Sequence, residues 1–282
     1  MSAPADTAAQ ALADEYGVLA VRGPDSAKFL QGQLSADTEA LAAGASTIAG
    51  FHNPQGRVIA VLAISRPAAD EFLMALPLEL AEVVAQRLRK FVLRAKVQVE
   101  NVSGTVRVVR ALQGPHVPQI AWGNRVLQLV PQGHELFDDP GAPLELWNLA
   151  GVREGLPLIY PATSEQFVAQ MLNLDVLGAI SFTKGCYTGQ EVIARAHYRG
   201  RVKRRMQRWL NASGTELKPG DTARSRDGRP LAVVRGAMDE QGRQEVLAVG
   251  TFGAPTDAQP EPDGAGIILV DGPLPLPYVL PE

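Results

Sequence analysis

One cysteine, Cys186, stands two residues after Lys184 in the run Ser181-Phe-Thr-Lys-Gly-Cys-Tyr-Thr-Gly-Gln-Glu191. The thiolate is the form of cysteine that attacks electrophiles and binds metals, and two neighbouring features favour it. One is the Lys184 ammonium. The other is a predicted helix start: Val192, Ile193, Ala194 and Ala196 recur at helix-compatible spacing from Glu191, so unpaired backbone N–H groups precede them. A lone cysteine is otherwise a small apolar filler of a core. The polar neighbours Lys184, Thr188, Gln190 and Glu191, with Gly185 and Gly189 as pliable points, argue for an accessible thiol instead. Cys186 and Lys184 are therefore the candidate catalytic pair.

Immediately downstream, Arg195, Arg199, Arg201, Lys203, Arg204, Arg205 and Arg208 place seven cations within fourteen residues without an acid, with His197, Tyr198 and Trp209 interleaved. Three readings stand together: a strand and turn with solvent-facing cations, an anion site for a carboxylate-tailed ligand, and a phosphate-binding surface for RNA whose aromatic residues stack on bases. His52, His116, His134 and His197 are too widely spaced for metal-ligand periodicity, so no metal site is expected. One cysteine excludes an internal disulfide, and a self-contained cluster or zinc site unless histidines substitute. No glycine-rich phosphate loop is present.

The elements that must position these groups read as follows. An apolar run Val18 to Val21 ends at Gly23-Pro24, and a helix is predicted over about 26–34. Two β-type runs, 46–51 and 57–65, flank Asn-Pro-Gln-Gly and predict a hairpin. Another strand is predicted at 72–76, an amphipathic helix at about 78–92, and strands at 95–102, 106–112 and 125–130. The apolar runs 147–152 and 156–159 and a helical stretch at 164–173 lead to the cysteine loop. After Arg208, short apolar runs separated by Pro219-Gly220, Asp227-Gly228, Gln241-Gly242 and Asp271-Gly-Pro273 predict a small all-β unit.

The chain has 282 residues, 46% of them hydrophobic and 20% charged, with a formal net charge of −3. That length suits about two domains with a large core, and so small a net charge supplies no global field toward nucleic acid or membrane. The Ala-rich, acidic stretch Met1 to Ala13 is neither a secretory signal nor a transit peptide, and no apolar run is long enough to span a bilayer. A cytoplasmic protein without membrane contact is expected.

The octapeptide Lys184-Gly-Cys-Tyr-Thr-Gly-Gln-Glu191 resembles the signature of the YgfZ-type folate-binding proteins, relatives of the glycine-cleavage T-protein. The run 163–181 that leads into it, and Phe29-Leu-Gln-Gly-Gln-Leu-Ser-Ala-Asp37, are similar to segments of the same family. The resemblance implies an α+β fold, a T-protein-like α/β body with a small C-terminal β-barrel. The expected division is an N-terminal α/β module at 1–110, a second at 111–202 and the barrel at 203–282. It also implies a tetrahydrofolate or other folate ligand, with Tyr16 and Trp147 as slot aromatics and Tyr187, Gln190, Glu191 and Arg195 as further cofactor-binding candidates. The implied role is accessory: support for assembly or repair of iron–sulfur enzymes, tRNA-modifying enzymes among them, through contact with those enzymes or their assembly proteins. Two departures bear on catalysis. T-protein-like transferases use an aspartate in the strand after the first hairpin turn, yet Phe51 to Ser65 holds no acid. They also place a glutamate two residues before the glycine matching Gly155, where this chain has Arg153, with Glu154 one step closer. Read as a strand, that one-residue shift re-aims the carboxylate. The expectation is retained folate binding without T-protein catalysis. A folate-dependent one-carbon transferase with Cys186 as nucleophile, and an RNA-binding module, are the alternatives.

Overall fold

The computed structural model describes residues 15–111, 117–139, 141–200, 202–251 and 268–281. The stretch Met1 to Ala13, Leu112, His116, Arg201 and Ile267 lie outside the described residues.

The first body is a five-stranded sheet. β1 (Tyr16–Arg22) runs into α1 (Ser26–Gln31), and β2 (Ser46–His52) and β3 (Val58–Ala68) form the hairpin around Asn-Pro-Gln-Gly, with Ser46 opposite Ser65 and His52 opposite Val58. β4 (Glu71–Pro77) passes directly into α2 (Leu78–Arg89), and β5 (Gln98–Asn101) completes the order β2-β3-β4-β1-β5. β1 is an interior strand, paired with β4 and β5, and its Val18 to Val21 are buried throughout. That explains its unbroken apolar run, since both faces of the strand are covered. On α2, Leu80, Ala81, Val84, Ala85 and Leu88 are buried at helical spacing, while Glu79, Glu82 and Gln86 stay outside.

A three-stranded sheet follows, β6 (Val106–Ala111), β7 (Gln119–Trp122) and β8 (Arg125–Pro131), in the order β6-β8-β7. Next come α3 (Leu144–Arg153), a short 3-10 turn (Ala169–Leu172) and α4 (Gln190–Arg199). The apolar run at 147–152 is thus helical, and the helical stretch at 164–173 contracts to that single 3-10 turn. In the first case Trp147, Leu149, Gly151 and Val152 are buried on α3 against the body. In the second the local chain is spent on long-range contacts, such as Ser164 Oγ donating to the Ile59 carbonyl at 2.8 Å.

The last five strands are β9 (Arg204–Asn211), β10 (Thr222–Ser225), β11 (Pro230–Met238), β12 (Gln244–Thr251) and β13 (Leu269–Leu274). They are hydrogen-bonded in the order β10-β11-β12-β9-β13, and β13 pairs back with β10, so the ring closes. Alternation along β12 shows how it joins the rest. Val246 and Ala248 enter a local core with Trp209, Leu231 and Val233, while Leu247 and Val249 belong to the main core. A strand with two buried faces reads as a continuous apolar run, as Val246-Leu-Ala-Val249 does.

Candidate functional site

The cysteine loop is held against the first sheet by backbone and lysine contacts. Ser181 N–H donates to the Ser35 carbonyl at 2.8 Å and Thr188 N–H to that of Gly32 at 3.2 Å. Gly189, at the N-terminus of α4, has φ +83°, and a Cβ there would lie 2.6 Å from the Asn53 carbonyl oxygen and 3.0 Å from Gly56 Cα. Only glycine allows the helix start to rest on the β2–β3 turn. Cys186 is exposed on this loop. Lys184 is buried, and its ammonium donates to the carbonyls of Leu34 at 2.8 Å and Ala36 at 2.7 Å while lying 5.0 Å from the Tyr187 ring centroid. Burial lowers its pKa to about 8, with Asp37 and Glu39 opposing. These contacts make Lys184 a strut between the loop and the chain after α1, a role the spacing to Cys186 does not show.

Beneath the loop, Tyr187 is buried with its hydroxyl unpartnered, and burial raises its pKa to about 12. Its ring lies 6.3 Å from that of His52, which is also buried, has neither nitrogen hydrogen-bonded, and is lowered to about 3 by desolvation. The other signature candidates face outward: Gln190 is half-buried, and Glu191 and Arg195 form an exposed pair one helical turn apart, 2.8 Å.

Tyr16 and Trp147 come together far from their sequence positions: Trp147 Nε1 donates to the Tyr16 hydroxyl at 3.2 Å. They do not form an open slot, because Tyr16 is 3% and Trp147 2% exposed. The Arg125 guanidinium covers the indole at 4.1 Å and donates to the Trp147 carbonyl at 2.6 Å. In this structure the two rings expected to flank a ligand form a packed, hydrogen-bonded pair.

Next to that pair is a cleft of about 600 Å³ lined by Glu15, Pro77, Leu78, Tyr160, Leu217 and Arg235, among others. Glu15 precedes Tyr16 in the chain, and Arg235 Nη2 donates to the side chain of Asn148, next to Trp147, at 2.7 Å. Tyr160 donates its hydroxyl to Glu15 Oε1 at 3.1 Å, leaving Oε2 buried without a partner. Arg235 Nε is likewise buried and unpartnered. Burial raises the Tyr16 pKa to about 12, reinforced by the Glu15 carboxylate and opposed by Arg235. None of Cys186, Tyr187, Gln190, Glu191 and Arg195 lines this cleft. The candidates therefore fall in two places, the cysteine loop and the wall behind the cleft.

Several curated relatives carry the name tRNA-modifying protein YgfZ. That of Edwardsiella ictaluri is 32% identical over 83% of this chain and 83% of its own length, and that of Klebsiella pneumoniae is 30% identical over 95% and 92%. The chain belongs to the YgfZ family. The family model described as GCVT N-terminal domain matches residues 11–123. Among solved structures, the glycine cleavage system aminomethyltransferase T of Bartonella henselae matches with TM-score 0.66 at 14% identity, over 84% of this chain and 76% of that one. The mixed α/β fold is thus shared with the T-protein.

Within this family member, the residues around Gly155 are occupied internally. They sit at the end of α3 rather than in a strand. Arg153 bonds Glu245 at 2.8 Å, and the Glu245 carboxylate, together with Glu240, raises the Arg153 pKa above its ordinary value. Glu154 pairs with Arg125 at 2.9 Å. Gly155 has φ +68° and accepts from the Tyr278 hydroxyl at 2.8 Å. Neither side chain is free to bind a ligand edge, because each already neutralises a charge of its own.

The basic cluster divides. Arg205 is buried and chelates Asp175 at 3.0 and 2.9 Å, and Arg208 pairs with Glu245 at 3.3 Å. Arg199, Lys203 and Arg204 are exposed. Strand alternation puts Arg205 on the opposite side of β9 from Arg204, whereas Arg208, on the Arg204 side, is covered where it reaches Glu245. Sequence reasoning missed Glu15, Tyr160 and Arg235, which lie up to 220 residues apart and match no motif; the position of Glu15 beside Tyr16 was the one signal. Among the described residues no group of three or more His, Cys, Asp or Glu side chains could hold a metal ion, and no helix is long and apolar enough to cross a membrane.

Proposed function

We propose that this chain is a tetrahydrofolate-binding accessory protein that supports the assembly or repair of iron–sulfur enzymes, including enzymes that modify tRNA. What supports the reading is its family, which includes curated proteins named for tRNA modification, and one structural observation that carries it: two residues lining the cleft beside Tyr16 and Trp147 each hold a buried polar atom that lacks a partner, the carboxylate oxygen Oε2 of Glu15 and the guanidinium Nε–H of Arg235. A pterin presents adjacent N–H donors and a carbonyl acceptor on one edge, so Glu15 would accept from the former and Arg235 donate to the latter. Pro77, Leu78, Tyr160 and Leu217 supply apolar contact for the flat rings, and about 600 Å³ suits a ligand of that size. Glu79 and Glu216 also line the cleft, so the anionic glutamate tail leaves on the side away from them. The five-stranded closed ring is read as the small C-terminal β-barrel, with module boundaries near 110 and 202.

Cys186 acts separately in this proposal. It is exposed and does not line the folate cleft, so its partner is a macromolecule arriving from solvent. One thiolate cannot hold an iron–sulfur cluster alone, and any cluster contact is shared with that partner. The cytoplasm, which keeps thiols reduced, suits this chemistry.

Anaerobic calorimetric titration with tetrahydrofolate tests the reading. Wild type should bind, and Glu15→Gln should weaken binding by roughly 10- to 100-fold, the loss of a charged hydrogen-bond acceptor. Equal affinity of the two proteins, or no binding by wild type, overturns the assignment of the cleft.

A further inference from the structure

A second cavity, of about 710 Å³, opens where α4 meets the start of β9 and is lined by Gln170, Asp175, Phe182, His197 and Arg205 together with Gly200 and Val202. Two of its side chains are almost wholly enclosed: Gln170 is 1% and Arg205 2% exposed. Arg205 spends both terminal nitrogens, on Asp175 and on the Gln170 carbonyl at 3.1 Å, which leaves its Nε–H unpartnered. Gln170 spends its amide N–H on the Ile193 carbonyl at 2.7 Å, which leaves Oε1 unpartnered. The two residues that carry this buried donor and this buried acceptor therefore both line the cavity. Each unsatisfied group of this kind destabilises the fold, so a ligand that completes both is favoured over one that fills the space with carbon.

The wall is aromatic. Phe182, on the cysteine loop, stacks on His197 of α4 with centroids 3.7 Å apart and an interplanar angle of 15°. Tyr198, 67% exposed, meets both edge-on. The rim is cationic: Arg199 and Lys203 flank Gly200 and Val202 in the chain, and Arg204 follows, all three exposed. A small inorganic anion does not suit the interior, because Asp175 lines it and already occupies the terminal nitrogens of Arg205. An apolar ligand would leave Gln170 Oε1 and Arg205 Nε stranded.

We propose that this cavity receives an unpaired base of a single-stranded RNA. The base would present its carbonyl to Arg205 Nε and its N–H to Gln170 Oε1, lie against the Phe182–His197 stack, and leave its flanking phosphates to Arg199, Lys203 and Arg204. Bases splayed from a strand are recognised in this way, by stacking and by their hydrogen-bonding edges. The site is distinct from the folate cleft, which shares none of its lining residues.

Fluorescence anisotropy with a labelled oligouridine of about 12 nucleotides, and an abasic phosphodiester of equal length, tests this across rising potassium chloride. Wild type should prefer the RNA to the abasic strand. Combined replacement of Arg199, Lys203 and Arg204 by Ala should reduce the log–log salt slope by about 2, three contacts at about 0.7 each. His197→Ala should weaken binding by roughly 5- to 100-fold at unchanged slope, and His197→Phe should restore it. Equal binding of the abasic strand, insensitivity to His197→Ala, or displacement of the RNA by tetrahydrofolate or by polyglutamate each overturns base insertion. Because Glu15→Gln leaves this cavity intact, loss of folate binding and loss of RNA binding report on separate claims.

Discussion

The ammonium nitrogen of Lys184 lies 2.7 Å from the carbonyl oxygen of Ala36, a residue 148 positions earlier, and 2.8 Å from that of Leu34. A charge two residues from the only cysteine is thus used to hold the signature loop on the first sheet. The native pKa of about 8 lies below the ordinary 10.5, so between those values the unfolded chain keeps a proton that the native one releases. Stability from this group therefore rises as pH climbs through that window. Lys184→Met should abolish that pH-dependent rise relative to wild type and, by stranding two carbonyls, destabilise by about 1 to 3 kcal/mol near neutrality. Urea melts at pH 7, 8, 9 and about 10 would show a parallel pair of curves if Lys184 does not titrate in this way.

His52 gives the opposite limb. Burial alone lowers its pKa from 6.5 to about 3, so between these values the unfolded chain binds a proton that the folded imidazole refuses. Stability should fall as pH drops from 6.5 toward 3. His52→Phe should flatten this part of the acid limb, read by thermal melting in matched buffers; an unchanged acid limb would mean that His52 is protonated in the native state.

Arg204 and Arg205 are sequence neighbours with unlike burdens. Arg205→Ala leaves the largely enclosed Asp175 without its counter-ion and should cost about 3 kcal/mol. Arg204→Ala, at an exposed position, should stay within about 0.5 kcal/mol. Chemical denaturation of both variants checks the contrast, and similar losses would contradict the register of β9.

Cys186 should react fully with iodoacetamide in the native state, because it is exposed. Tetrahydrofolate at saturation should leave the alkylation rate unchanged, since the proposed folate cleft does not include the thiol. Protection by folate, followed by mass spectrometry of the alkylated protein, would place the thiol at the ligand instead.

The bond between Trp147 Nε1 and the Tyr16 hydroxyl joins α3 to β1 of the first sheet. Tyr16→Phe removes it and leaves a buried indole N–H without its acceptor, a loss of about 1 to 3 kcal/mol. A stability unchanged within error would show that water replaces the hydroxyl.

Local pattern carried much of the architecture. The Asn-Pro-Gln-Gly hairpin, the amphipathic α2, the helix after Gly189 and the run of short strands beyond Arg208 were all legible, because period and turn chemistry act between near neighbours. Gly189 itself belongs to both levels: its place before a helix is visible in the sequence, while the reason no side chain fits there is the approach of Asn53 and Gly56. What could not be read was partnership. Neither the spacing of Lys184 and Cys186 nor the charge of Arg153, Glu154 and Arg205 shows that carbonyls of Leu34 and Ala36, the carboxylates of Glu245 and Asp175, and the guanidinium of Arg125 wait for them across the fold. By itself the sequence determined the family, the segment types and the uniqueness of the thiol. Tertiary structure alone decided that Tyr16 and Trp147 close on each other, and that Glu15 with Arg235, and Gln170 with Arg205, share cavities as unpaired donors and acceptors. Burial and hydrogen-bond satisfaction are properties of what surrounds a group in space, and the chain's order does not encode those surroundings locally.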